Sequence, residues 1–449
     1  MGKTLYYMVH YAYLPQIICH SVGGFLESFS ANRFCHICLV HKQNAQHIFN
    51  DDLVELRNRD NYSQHVELNN PPLTGIKEDS CLNSLNFFHI TENVCGDVMH
   101  DVLEGVAPLE LKLMLRHFVY DEQLFTEDQL NSRIAGFDYG LNNMKSKPSA
   151  IIHLTSENPI RQNASQMWCL LLFLPFLIGD FIDEGNKHWQ LFLLLRQICD
   201  IIFAPVATKG LAMLLKQLVI DHHTLFKSLY DRPLIPKHHF MMHYWRMMVY
   251  FGPLGKLWCM RFEGKHAPLK RQAQVVCNFI NISKTLAFKH QVQAMFNWKL
   301  GSPFKDKMTV ANSFPVLLGS LKEDVCLIDN LKAIGRDVGQ CSSFHVAHSV
   351  TVFGQRYQTT CILPLNCNEN GELVFGEVMH ILPESENLNV LFFLRILVPK
   401  FFQNHFHAIA VQRTEDFKLI GIRDLIDFRP MHLIFFNNDI FVNPRYELV

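Results

Sequence analysis

Apolar and polar positions change their spacing twice along the 449 residues. Up to about residue 130, short extended runs and turns alternate, including the loop-like Asn69-Asn-Pro-Pro-Leu-Thr-Gly75. A helix is predicted there over about 97–117. From 131 to 300 the spacing is helical, and residues 189–203 are apolar on most faces, which predicts a buried helix. Residues 210–230 and 237–251 continue that pattern. The most apolar stretch, 169–179, is short and carries Pro175. A bilayer needs roughly 20 such residues, so it reads as a buried segment and no membrane is expected. From 340 onward the period shortens to two. Runs at 350–353, 376–382, 390–397, 407–411 and 432–436, separated by Asn, Gly, Glu and Asp, predict a small antiparallel barrel or sandwich. Residues 300–340, with Gly301, Pro303 and mixed charges, read as a linker.

Hydrophobic residues at 49% against 18% charged exclude a disordered chain. Lys and Arg number 41 and Asp and Glu 42, so a strongly basic nucleic-acid-coating protein is excluded and any DNA contact is local. Thirteen cysteines with no secretory leader point to reduced thiols inside a cell, and 24 histidines make a metal site worth seeking.

Cys35-His-Ile-Cys38 puts two thiols on one tight turn, where both reach one tetrahedral zinc. The other reading is two small buried apolar residues. In His238-His239-Phe-Met-Met-His243, a helix places His239 and His243 on one face, and Pro236 suits its start. His238 is the alternative to His239, and a His-rich helix face with no metal is the plainer reading. Asp97 reads as an N-cap, with His100, Asp101 and Glu104 in the turns that follow. Acidic residues there ordinarily offset the helix dipole. Lys265, His266, Lys270 and Arg271 suit either a phosphate backbone or a solvated helix face.

Taken in order, Gly24-Phe-Leu-Glu-Ser-Phe-Ser-Ala-Asn32, Cys35-x-x-Cys38, Asp97-x-x-His100-Asp-x-Leu-Glu-Gly105, Pro236-Lys-His-His-x-x-x-His243-Tyr, Phe251-Gly-Pro-Leu254 and Trp258-x-Met-Arg-Phe-Glu-x-Lys-His266 resemble a transposase of the CACTA (EnSpm-like) group in its animal form. The resemblance implies an α+β chain: an RNase H-like core interrupted by a large helical insertion, then a small antiparallel β-rich domain. Residues 1–130 would be the remnant of the core, 131–300 the insertion with the last core helix, and 340–449 the β-rich domain. It also implies a structural zinc on Cys35, Cys38, His239 and His243, Glu263 as the third acidic ligand of a two-Mg²⁺ site, and a nuclear location. Asp97 and His100 match the family's D-x-x-H element, which is expected to position the core.

The chain departs from the family where the chemistry lies. The second catalytic aspartate would fall at Pro15, followed by Gln16, and no Asp or Glu precedes Glu27. A lone glutamate cannot hold two Mg²⁺ ions, so an inactive, transposase-derived protein that keeps DNA or protein binding is expected. A sheet short of its first strands exposes an edge, which residues 5–13, a protein partner or a second copy would cover. One alternative is an active Mg²⁺-dependent nuclease drawing on Asp97, Asp101 and Glu263. Another is an interaction module built on 340–449 with no nucleic-acid role.

Overall fold

Helix dominates the middle of the chain and strands its end, as the change in hydrophobic spacing leads one to expect, but the short strands expected before residue 130 are replaced among the described residues by loops, short helices and isolated bridges. The structure is a computed structural model. It describes residues 16–448 except 301–307, 322, 337, 340–341, 353, 369–370 and 385–388. The substitute strand expected at 5–13 lies outside the described residues.

Two compact units divide the chain, at places other than residues 130 and 300. The first holds the described residues up to Phe137, Ser146–His266 and the tail from Arg445. The second holds Asp138–Lys145 and the described part of Ala267–Pro444.

In the first unit α1 (Gln16–Val22) leads into loops that make isolated antiparallel bridges, Phe25 to Ile76 and Cys38 to Leu56. Among its described residues there is no longer strand. Helix α2 (Arg59–Leu68) opens on a capping box between Asn58 and Asn61. The predicted helix at 97–117 is a π-helical turn, Met99–Val106, running into α3 (Ala107–Arg116). Three long helices build the core, each started by a polar cap: α4 (Ala164–Ile178) by Asn163, α5 (Lys187–Ile202) by Asn186 and α6 (Lys209–Leu229) by Thr208. Every side chain at 167–178 is buried, and each large one is worth about 1.5–3 kcal/mol out of water. Ala164–Phe181 is long and apolar enough to cross a membrane by length and composition, and 78% of it is buried.

Residues 237–251 are not one helix. Helix α7 (Pro236–Met241), with Pro236 in its first turn, gives way at Met242–His243 to α8 (Tyr244–Phe251). Beyond a short turn, Trp258 packs edge-on to Trp168 at 5.5 Å and lies 5.1 Å from Phe203, centroid to centroid. These contacts fix the chain just ahead of α9 (Met260–Gly264), which carries Glu263.

Besides Asp138–Lys145, the second unit comprises α10 (His266–Val276) from Ala267 on, α11 (Ile282–Lys299) and then a curled antiparallel sheet. Its strands are β1 (Met308–Leu317), β2 (Ser343–Val352), β3 (Gln355–Gln358), β4 (Ile362–Cys367), β5 (Leu373–Glu384), β6 (Asn389–Gln403), β7 (Ala408–Gly421), β8 (Ile434–Phe436) and β9 (Asp439–Val442). They run in the order β1-β2-β5-β6-β7-β9-β8, with β3 beside β2 and β4 beside β5. Alternation along β6 serves two faces. Phe392 packs with Val350, Tyr357 and Ile381, while Phe393 packs with Leu382, Leu419 and α12 (Asp324–Ala333). The linker expected at 300–340 is therefore corrected. Met308 pairs with Val352 and Leu317 with Ser343 at the two ends of the β1–β2 ladder, and Leu327 and Leu331 of α12 are fully buried.

Candidate metal centre

Cys35 and Cys38 sit on a knuckle in which the Ile37 and Cys38 amides donate to Cys35 Sγ at 3.3 and 3.4 Å. Phe34, Val40, Ala45 and Phe240 enclose the turn in apolar side chains. Cys38 Sγ lies 3.3 Å from His239 Nε2, and Cys35 Sγ lies 3.7 Å from His243 Nε2. One ligand atom from each of the four, all buried, falls within 4.8 Å of the others. A tetrahedral ion held by sulfur and nitrogen at ordinary bond lengths sets its ligand atoms about 3.3–3.8 Å apart. The cluster can therefore hold a metal such as zinc. The break between α7 and α8 does not part His239 from His243, because a single turn separates them and their rings meet edge-on at 5.1 Å.

The outer partners are in place as well. His243 Nδ1 faces Asp51 Oδ2 at 3.5 Å, and Asp51 also accepts from Trp245 Nε1 and Arg246 Nε, each at 2.8 Å. A carboxylate behind a ligating imidazole fixes its tautomer and raises its basicity. Burial opposes the Asp51 charge, yet His243 and Arg246 bring that carboxyl down to about 2. Burial likewise disfavours the imidazolium, but Asp51 and Cys35 carry His243 up to about 9. Cys35 is pushed up by burial and pulled well below the thiol range by Cys38, His239 and His243.

His238, the alternative ligand, turns elsewhere. Its Nε2 lies 2.8 Å from Glu110 Oε1, and the other oxygen of Glu110 takes His222 Nε2 at 2.9 Å. His222 Nδ1 meets His223 Nδ1 at 3.0 Å, and His223 Nε2 meets the His238 carbonyl at 2.8 Å. All four side chains are buried. Burial opposes the Glu110 charge, and the two imidazoles still bring its carboxyl to about 2.

Asp97, His100 and Glu263 form a second chain of contacts. Asp97 Oδ1 accepts from the Met99 and Cys259 amides at 3.1 and 3.2 Å, so it ties the start of the π-helical turn to the 259 segment, although the N-cap position of that turn is Val98. Asp97 Oδ2 takes His100 Nδ1 at 2.5 Å, and Glu263 Oε1 lies 3.1 Å from His100 Nε2. The Asp97 hydrogen bond, outweighing burial, raises the His100 pKa above the ordinary imidazole value. Asp101 has a different partner. It is fully buried, accepts from Tyr244 Oη at 3.1 Å, and burial pushes its carboxyl up to about 7. Asp97 and Glu263 thus occupy opposite nitrogens of one imidazole, and the cluster of Asp97, His100 and Cys259 that could hold an ion includes neither Asp101 nor Glu263.

Lys265 and His266 at the end of the first unit, and Lys270 and Arg271 in the second, are exposed. The sequence reading passed over Asp51 and Glu110. Asp51 follows Asn50, whose side chain caps the short turn at Asp51–Leu53, so nothing local marks it as more than a turn residue. Glu110 left a fainter signal, a lone acid on the apolar stripe formed by Ala107, Leu111 and Met114. No protein-family model matches the chain, and no curated protein matches it.

Proposed function

We propose that the chain is a catalytically inactive, transposase-derived protein of the CACTA type, whose Cys/His cluster holds a structural zinc and whose surviving activity is DNA binding. The observation that carries the reading is the meeting of Cys38 with His239 across 201 positions, the pairing that the resemblance implies. Cys35, Cys38, His239 and His243 supply two thiolates and two imidazoles. With all four positions filled by protein, zinc there acts as a tie that pins the 35–38 turn to α7 and leaves no position for substrate. On this reading the first unit descends from an RNase H-like core and its helical insertion.

The inactive assignment rests on Glu263. Its carboxylate is engaged by His100, which Asp97 and Glu104 also meet, and among the described residues the group there that could hold an ion, Asp97, His100 and Cys259, does not include it. The binding assignment rests on charge. Residues 267–299 of the second unit contain Lys270, Arg271, Lys284, Lys289 and Lys299 and no Asp or Glu. Neither α10 nor α11 buries any residue, and Phe288, Phe296 and Trp298 are exposed among the cations. Cations interleaved with exposed rings suit a phosphate backbone and its bases.

The test incubates the full chain with plasmid DNA and Mg²⁺. The expected result is retarded DNA at low salt, weakened in Lys270→Ala/Arg271→Ala, with no nicking. Mg²⁺-dependent nicking that disappears in Glu263→Gln overturns the inactive reading. Failure to retard any DNA overturns the binding reading and favours a protein-interaction module.

A further inference from the structure

Asp97, His100 and Cys259 bring a carboxylate, an imidazole and a thiol together in the first unit, with one ligand atom from each within 4.8 Å of the others. Each donor is held from behind. Asp97 Oδ1 is fixed by the Met99 and Cys259 amides at 3.1 and 3.2 Å, so that Oδ2 is the oxygen that meets His100 Nδ1. Cys259 is 3% exposed, and its thiol faces the Asp97 carboxylate. The preceding Trp258, packed on Trp168 and Phe203, sets where that thiol stands. Glu263 follows one helical turn later, its amide donating to the Cys259 carbonyl at 2.9 Å. Its Oε1 lies 3.1 Å from His100 Nε2.

His100 therefore turns one nitrogen toward Asp97 and the other toward Glu263. An imidazole with one nitrogen among candidate ligands and a carboxylate behind the other has the layout of a metal ligand with its outer partner. Carboxylate, neutral imidazole and thiolate are the donor types that zinc takes. A proton and a metal compete for the same place here. At 2.5 Å a proton joins Asp97 Oδ2 to His100 Nδ1. A tetrahedral ion in its stead sets the two atoms about 3.3 Å apart. The imidazole, whose side chain is 24% exposed, has only to back away by about 0.8 Å to admit it.

We propose that Asp97, His100 and Cys259 form a second metal site, for zinc or another divalent transition ion, with Glu263 as the partner behind His100. Thiolate and imidazole donors favour such an ion over Mg²⁺, which takes oxygen ligands in an octahedral shell. Three protein ligands leave the fourth position of a tetrahedral ion to water, whereas Cys35, Cys38, His239 and His243 fill all four. The second ion is accordingly held more weakly and exchanges more readily. The site shares no ligand with the four-residue cluster and does not depend on transposase ancestry.

The test measures Zn²⁺ bound to the full chain by equilibrium dialysis and elemental analysis, in wild type, Cys38→Ser, His100→Ala and Cys259→Ala. One ion per chain that stays in Cys38→Ser and is lost in both His100→Ala and Cys259→Ala is expected, whatever the fate of an ion at the other cluster. Glu263→Ala should weaken that ion by about tenfold without removing it. If Cys259→Ala fails to fold, His100→Ala, at a partly exposed side chain, still decides. No ion beyond the one lost in Cys38→Ser overturns the proposal and leaves the four-residue centre standing, so the two claims fail separately. An ion that survives in His100→Ala is bound elsewhere and also overturns it, and an affinity unmoved in Glu263→Ala overturns the role given to Glu263.

Discussion

Glu110 Oε1 and His238 Nε2 lie 2.8 Å apart with both side chains buried, and this contact decides which of two adjacent histidines faces the thiols. With His238 held on α3, the backbone of α7 presents His239 to Cys38. The Glu110 network and the candidate metal centre are therefore two sides of one short helix.

Glu110→Gln leaves one buried imidazole N–H without an acceptor, because an amide has a single carbonyl oxygen for two donors. A loss of about 1–3 kcal/mol is expected from that vacancy. The pH dependence changes too. The Glu110 carboxyl lies at about 2 in the fold and near 4.5 when unfolded, so its stabilisation is present above about pH 4.5 and is lost as pH falls toward 2. That is about 3 kcal/mol at neutral pH. Urea unfolding of wild type and Glu110→Gln between pH 3 and 7 should converge toward the acid end. Parallel curves would show that Glu110 does not carry this term.

Asp51→Asn keeps all four candidate ligands but weakens the support behind His243 and the contacts to Trp245 and Arg246. Metal affinity should fall about 10–100-fold, measured by competition with a chelator, while Cys38→Ser or His243→Ala removes tight binding. An unchanged affinity in Asp51→Asn would mean that the 3.5 Å contact to His243 does no work at the centre.

Asp101→Asn should be gained stability that depends on pH. In the wild type the buried carboxyl titrates at about 7 against roughly 4 unfolded, so the folded state holds a proton that the unfolded state releases between those values. Wild-type stability therefore falls as pH rises through that window, and the amide does not share the fall. The variant's advantage should grow from pH 4 to 7 by up to about 4 kcal/mol and then level off. Chemical unfolding at pH 4, 5.5 and 8 measures it, and a flat difference would contradict the buried, Tyr244-bonded placement.

His100 should titrate above the ordinary imidazole value, since Asp97 and, more weakly, Glu263 stabilise its charged form. Its contribution to stability is present below about pH 6.5 and is lost as pH rises through the raised value. Ring-proton NMR should show the midpoint falling most in Asp97→Asn and less in Glu263→Gln. Because the Glu263 side chain is 50% exposed, Glu263→Gln should change overall stability by no more than about 0.5 kcal/mol. A midpoint that ignores both carboxylates would remove the contact chain.

The sequence was most informative where chemistry depends on spacing. Cys35-x-x-Cys38 and His239-x-x-x-His243 are local patterns, and two such patterns can be paired on paper. Spacing favours His239 over His238, because only His239 shares a helix face with His243; what spacing does not reveal is Glu110, 128 positions away, which takes up His238. Asp51 was silent for a similar reason: its meaning comes from His243 and Arg246, which reach it only once the chain has folded. The β-rich tail is legible from alternation, yet the stretch that forms β1 reads as linker. Ser313 and Pro315 interrupt its apolar rhythm, and its ladder partner β2 begins only at Ser343. The break between α7 and α8 is hidden from the pattern at 237–251, because a one-turn break leaves the 3.6-residue period almost undisturbed.

The separation of Cys38 from His239 also carries a cost in time. A ribosome adding about 5–20 residues each second needs roughly 10–40 s to travel from one to the other. Throughout that interval the first two ligands have emerged without the second two. Nascent Cys35 and Cys38 are then exposed to oxidants, and to thiol-seeking metals such as copper or cadmium, before the site can select by geometry. Loading fidelity should depend on what guards that turn during synthesis more than on the affinity of the finished centre.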